Sequence, residues 1–149
     1  MKLGSLMPDL EGESAWINNK VTKDELLGEK PTLIHFWSVS CQLCKDVMPQ
    51  VNILRNRYEN VLNIVAVHMP RSEDETKVER VQKAAQKYNI IQPIFVDSWL
   101  RLTDKFGIQY VPSFYLFDRS GVLRHTQSGG SGMRILEKRI LSVLGEKKR

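Results

Sequence analysis

The chain has 149 residues, of which 42% are hydrophobic and 26% charged, and its formal net charge is +5. That is the length of one ordinary domain and the composition of a folded globular chain, which excludes the disordered and membrane-embedded classes. The basic residues are scattered, the densest run being Lys147-Lys148-Arg149, which reads as a solvated tail; without an aromatic-interleaved basic stripe, no nucleic-acid partner is expected.

No stretch approaches the length of a transmembrane helix, so no membrane partner is expected either. The opening residues, Met1-Lys2-Leu3-Gly4-Ser5-Leu6-Met7-Pro8, lack the apolar segment of a signal peptide. The expectation is a cytoplasmic, monomeric, single-domain protein over residues 1–149, without internal repeat or linker. In a reducing compartment a lone cysteine pair points to catalysis or metal binding before structural cross-linking.

Residues 1–30 read as an irregular extension with a short strand and turn near Trp16 and a short helix at Lys23–Leu27. Thr32–Trp37 is a short apolar run predicted as a buried strand. A helix is predicted from Cys41, with Cys44, Val47, Met48, Val51, Leu54 and Tyr58 in one apolar stripe. Leu62–Val67 reads as a second core strand. Ser72-Glu73-Asp74-Glu75 has the form of a capping box opening a helix, whose stripe is Val78, Val81, Ala85 and Tyr88. Ile94–Val96 is a third strand. Ser98 is placed to cap a short helix through Trp99, Leu102 and Phe106, which Gly107 ends. A strand at Ser113–Phe117, a turn at Asp118–Gly121, a return strand at Val122–His125 and a helix at Met133–Leu144 complete the chain. The order predicts an α/β architecture with helices on both faces of a mixed sheet.

In such sheets reactive groups gather at the carboxyl ends of the strands, where Cys41 lies. Residues three apart on a helix share a face, with Cβ atoms roughly 5–6 Å apart, so Cys41 and Cys44 need only a small adjustment to reach disulfide distance. A helix N-terminus favours negative charge, so Cys41 is the thiol primed to attack and Cys44, a turn further in, the one held back to resolve. Lys45 adds to the local positive field. Three other readings compete. A structural disulfide over so small a loop contributes only about 2 kcal/mol on the loop-entropy estimate. The thiols could be two unrelated buried cysteines. Zinc would need two of His35, His68 and His125 as further ligands, but these are dispersed and form no ligand knuckle.

Four features together resemble the TlpA/ResA-like branch of the thioredoxin superfamily, from about Met7 to Leu144. They are Ile34-His35-Phe36-Trp37 leading into Cys41-Gln42-Leu43-Cys44-Lys45; Pro49, five residues after the second cysteine; Val111-Pro112; and the helix-and-strand insertion at residues 72–97. The resemblance implies a thioredoxin-like fold and a Cys41–Cys44 redox-active disulfide. It also implies a cis Val111-Pro112 facing the pair, with Val111 and Pro112 holding the substrate backbone. Trp37 resembles the family's active-site tryptophan, expected to flank the substrate groove, although such a residue is more often core. The chain departs from the family at Ser40, at Gln42-Leu43 between the thiols, at Val47, and at His35 where thioredoxins carry a buried Asp. His35 is either a core histidine or the proton acceptor for Cys44; His68 is a lesser candidate and His125 is expected at the surface.

Gly129-Gly130-Ser131-Gly132 lacks the Lys-Ser/Thr of a phosphate loop and reads as a flexible helix entry. The expected function is reduction of protein disulfides, with a reducing dithiol protein or small thiol as donor, no dissociable cofactor and no metal. The alternatives are a non-catalytic binding or metal-handling domain on the same fold, or a peroxiredoxin-like peroxidase.

Overall fold

The structure is a computed structural model that describes residues 1–146; the basic tail Lys147-Lys148-Arg149 lies outside the described residues. Six strands, β1 (Ala15–Ile17), β2 (Thr32–Trp37), β3 (Asn63–His68), β4 (Ile94–Val96), β5 (Ser113–Phe117) and β6 (Leu123–Ser128), make one sheet in the order β1-β4-β3-β2-β5-β6. β2, β3 and β4 are parallel; β5, β6 and β1 join their neighbours antiparallel. The sheet is mixed, as predicted.

Every residue of β2 is buried because both faces of the sheet are covered. Leu33, Ile64, Ala66, Ile94, Phe114 and Leu116 face α2 (Gln42–Tyr58), α3 (Val78–Lys87) and α5 (Met133–Leu144). Their alternates Ile34, Phe36, Val65, Val67, Phe95, Tyr115 and Phe117 face α1 (Lys23–Leu26), α4 (Arg101–Phe106) and the N-terminal residues Met7 and Leu10. α2 buries Cys44, Val47, Met48, Val51 and Leu54, the predicted stripe, and runs through Pro49 to Tyr58. Pro49 cannot donate to the Lys45 carbonyl, but the helix survives because its buried face is anchored on both sides.

The N-terminal extension is more ordered than an irregular segment. Leu6 forms a bridge with Val122, Met7 and Leu10 are buried, and β1 pairs with β4 on the opposite edge. Residues 1–17 therefore cross beneath the whole sheet.

Two helix starts differ from expectation. Ser72 does not open a helix: a 3₁₀ turn occupies Asp74–Thr76, α3 begins only at Val78, and the Glu75 carboxylate turns inward to a distant partner. Ser98 caps nothing; its hydroxyl donates to the Thr76 carbonyl at 2.6 Å, while Asp97 receives the backbone N–H groups of Leu102 (3.1 Å) and Thr103 (2.7 Å). Trp99 consequently precedes the helix and is exposed, with the Arg101 guanidinium 5.3 Å from its ring centre. A working capping box sits elsewhere, at Thr22-Lys23-Asp24-Glu25 before α1. β3 is shifted one residue toward His68, and β6 extends three residues past His125.

The turn between β5 and β6 is held by Asp118, whose Oδ1 accepts from the Ser120 and Val122 N–H groups, each at 3.0 Å. Gly121 closes it at φ +80°, and a Cβ there would lie 2.7 Å from Leu27 Cδ2. Gly121→Ala is expected to lower stability by about 1–2 kcal/mol, the usual penalty of a left-handed backbone with a side chain. A urea midpoint equal to that of the parent would show that the turn is not strained.

Candidate active site

β2 ends at Trp37, and Ser38-Val39-Ser40 carries the chain to Cys41, the N-cap residue of α2 (φ −89°, ψ 104°). This loop is pinned at every step. The Met69 N–H donates to the Trp37 carbonyl at 2.8 Å, and the Ser38 hydroxyl donates to the Met69 carbonyl. The Val39 N–H donates to His68 Nε2 at 3.2 Å, and Ser40 Oγ to Glu75 Oε2 at 2.9 Å. A site so held presents its sulfur in one geometry.

Cys41 and Cys44 are joined as a disulfide with a Cα–Cα distance of 5.3 Å. Cys41 Sγ accepts the Cys44 N–H at 3.0 Å, one of the amides that a helix start leaves without an intrahelical partner. Cys44 is 0% exposed, whereas Cys41 retains 4%. Antiparallel pairing of β5 with β2 sets Ser113 opposite Phe36, bringing Val111-Pro112 to the end of β2. The Val111-Pro112 peptide is cis, and the Val111 carbonyl oxygen lies 3.6 Å from Cys41 Sγ. The Val111 carbonyl thus faces Cys41, at the cis peptide before Pro112.

Exposed Tyr110 precedes Val111, and exposed Leu43 lies between the cysteines. A Cβ on Gly130 would fall 3.1 Å from Leu43 Cδ1, so the glycine run serves close packing against the first turn of α2.

Trp37, expected at the substrate groove, is instead 2% exposed, packed in the core with its ring edge-on to His68 at 5.0 Å. A tryptophan on a strand covered on both faces has no route to the surface. His35 is buried and its ring stacks on Phe114; Gln92 accepts from Arg55 through Oε1 (2.9 Å), so its amide N–H donates to His35 Nε2 at 2.9 Å. Burial, and then the positive charge of Arg55, lower the His35 pKa to about 4. His68 is lowered to about 4 by burial, which the charge of Glu75 partly opposes. His125 is half-buried on β6 and hydrogen-bonds Gln127. The three histidines do not converge on the thiols, and among the described residues no group of three or more His, Cys, Asp or Glu side chains is arranged to hold a metal. Lys45 leans away, its ammonium 5.8 Å from the Tyr88 ring centre.

Two parts of the site were missed in the sequence. Arg55 is buried on α2, donating to Asn52, the Asn89 carbonyl and Gln92, and so ties α2 to His35. Glu75 reaches Ser40 across 35 positions. Neither leaves a local pattern; only the period of α2, which puts Arg55 beside the buried stripe, hints at the first.

Residues 3–126 match the model of the AhpC/TSA family. The chain belongs to that family. The sequence is 58% identical over 146 residues to the thiol-disulfide oxidoreductase YkuV of Bacillus subtilis, covering 98% of this chain and 99% of that one. It is 30% identical over 133 residues to the thiol-disulfide oxidoreductase ResA of Halalkalibacterium halodurans, covering 89% of this chain and 69% of the relative. A solution structure of a thioredoxin-like protein in its oxidized form, 58% identical, superposes with a TM-score of 0.90 over 99% of both chains. The fold is thioredoxin-like, as the motifs implied, and the chain is a thiol–disulfide oxidoreductase working by dithiol exchange.

Proposed function

We propose that the chain reduces protein disulfides, with Cys41 attacking and Cys44 resolving. The observation that carries this is the asymmetry of the pair: Cys41 Sγ sits at the helix start, faces Val111 and keeps some surface, while Cys44 has none. The Cys41 thiolate attacks one sulfur of the substrate disulfide, forming a mixed disulfide and expelling one substrate thiolate. The Cys44 thiolate then attacks Cys41, closing the Cys41–Cys44 bond and releasing the second substrate thiolate. Two electrons pass to the substrate, and a reducing dithiol protein or small thiol restores the pair. Val111 offers its backbone to an extended segment of the substrate, with Pro112 behind it.

A reductant belongs where thiol pools are reducing, so the cytosol is the location proposed with it, and a monomer the working form. The test is reduction of an insulin-type disulfide together with the equilibrium of the Cys41–Cys44 pair against glutathione and dithiothreitol. Turnover of the disulfide with a potential below the glutathione poise supports the proposal. Rapid consumption of peroxide without disulfide reduction would put the peroxidase reading ahead.

We propose His35 as a core residue that orders α2 through Gln92 and Arg55, since its Nε2 lone pair is already occupied and its basicity is low. His35→Asn is expected to cost about 1 kcal/mol of stability through the altered hydrogen bond and to leave resolution at the parent rate across pH 6–9. A slowed second step in a variant of normal stability would make it the proton acceptor of Cys44.

A further inference from the structure

Among the described residues, four buried side-chain polar atoms lack a hydrogen-bond partner: Trp16 Nε1, Trp37 Nε1, His68 Nδ1 and Glu75 Oε1. Three of these belong to residues gathered around the loop before Cys41. Trp37 and His68 are paired in register across β2 and β3 with their rings in contact, and His68 holds the Val39 N–H. Glu75 holds Ser40, the residue before Cys41, and its charge acts on His68. Buried polar atoms without partners are uncommon in folded proteins and gather at working sites.

Glu75 is the anomaly of the group. It is 4% exposed, and its Oε2 accepts from Ser40 Oγ (2.9 Å) and Ser72 Oγ (3.2 Å). No cation among the described residues pairs with it. On its own segment, Lys77 and Arg80 are turned to Asp74, at 3.3 and 2.9 Å. On β3, His68 is neutral near pH 7 and uses Nε2 as an acceptor, which leaves the ring proton on Nδ1. On α2, Lys45 lies over Tyr88, and Asp46 accepts from Gln42. Arg80, Lys83 and Lys87 of α3 line a cleft of about 180 Å³ beside Val39 together with Lys45. Two hydroxyl donors can be served by a neutral acceptor, so a buried carboxylate in this place is expensive unless its charge has a use.

We propose that Glu75 is a positioning residue for the exchange reaction, fixing the loop before Cys41 through Ser40 and opposing ionisation of the Cys41 thiol by its negative charge. The proposal rests on Cys41 being the attacking thiol. The α2 start and the Cys44 N–H stabilise a Cys41 thiolate. Glu75 works against them, since like charges raise a thiol's pKa. A less stable thiolate means a less stable reduced form, and hence a pair that gives up electrons more readily. Glu75 therefore tunes the poise from the inserted segment.

The test is the pH dependence of Cys41 alkylation in the reduced protein, with the dithiothreitol equilibrium of the disulfide, in Glu75→Gln, Glu75→Met and Glu75→Asp. Both uncharged variants are expected to move the Cys41 midpoint to lower pH and to favour the dithiol over the disulfide by roughly tenfold, about 30 mV toward the oxidising side. Glu75→Asp, which keeps the charge, is expected to stay near the parent value. Glu75→Met guards against misfolding of a single variant, as an apolar residue of similar volume in place of an unpaired buried charge is commonly tolerated. Unchanged midpoint and potential in both folded uncharged variants would overturn the proposal. Failure of Cys41 as the attacking thiol is read separately, from which cysteine carries the trapped substrate.

Discussion

Cys41→Ser is expected to reduce disulfide exchange to the background rate, whereas Cys44→Ser is expected to trap substrate on Cys41 at up to one mixed disulfide per chain. The difference follows from position. Cys41 receives the Cys44 N–H at 3.0 Å and faces the Val111 carbonyl, so its thiolate is stabilised where a substrate backbone arrives. A serine hydroxyl does not ionise in this range and cannot form the mixed disulfide. Cys44 lies wholly within the core, and an incoming substrate sulfur cannot reach it before Cys41 has reacted. Without Cys44 the first step proceeds and the second has no nucleophile. Non-reducing electrophoresis with mass spectrometry of the adduct reads both outcomes. Adducts formed through Cys44 in the Cys41→Ser protein would reverse the roles.

The second large effect is on stability. His35 and His68 have folded pKa values of about 4 against an ordinary 6.5, burial being the main cause for both. Below pH 6.5 the unfolded chain takes up two protons that the folded chain refuses, so stability falls as pH falls and levels off only near pH 4. Each histidine is expected to remove about 2 kcal/mol between pH 7 and pH 5, together a large share of an ordinary domain's 5–15 kcal/mol. Urea titrations at the two pH values check this. The loss should shrink by about half in His35→Asn and again in His35→Asn/His68→Gln, which isolates the histidines from the carboxylates. A parent protein equally stable at pH 5 and pH 7 would refute it.

Elements with strong periodicity were legible in the chain itself. β2, β4, β5, α2 and α5 lie where apolar runs and stripes placed them, because both faces of the sheet and one face of each helix must be buried. The cysteine pair was legible for a related reason: its spacing and its place after a strand are local facts. Long-range choices were not. Ser72 and Glu75 carry the spacing of a capping box, yet the carboxylate caps no backbone N–H and accepts from the Ser72 hydroxyl and from Ser40, a partner no local pattern reveals. Thr22 and Glu25 have the same spacing and do form the box, because nothing distant competes for that glutamate. Trp37 matched a family position but not its surface role, since burial is decided by what covers the strand. Arg55 drew no reading from the sequence, yet it is the centre of a buried network.

The N-terminal strap determines the order in which the molecule can be completed during synthesis. Leu6 needs Val122, the Gly4 N–H needs the Leu123 carbonyl, and Ala15–Ile17 need Ile94–Val96. The strap residues therefore wait for partners made about 80 to 120 positions later, while the parallel strands β2 and β3 can already pair. Until β4 has emerged, the outer edge of β3 stays open as a template for other strands. Fastening of the strap at Leu6 is a late event, and a nascent chain stalled short of Val122 carries a strap held only at β1 and lacks β6.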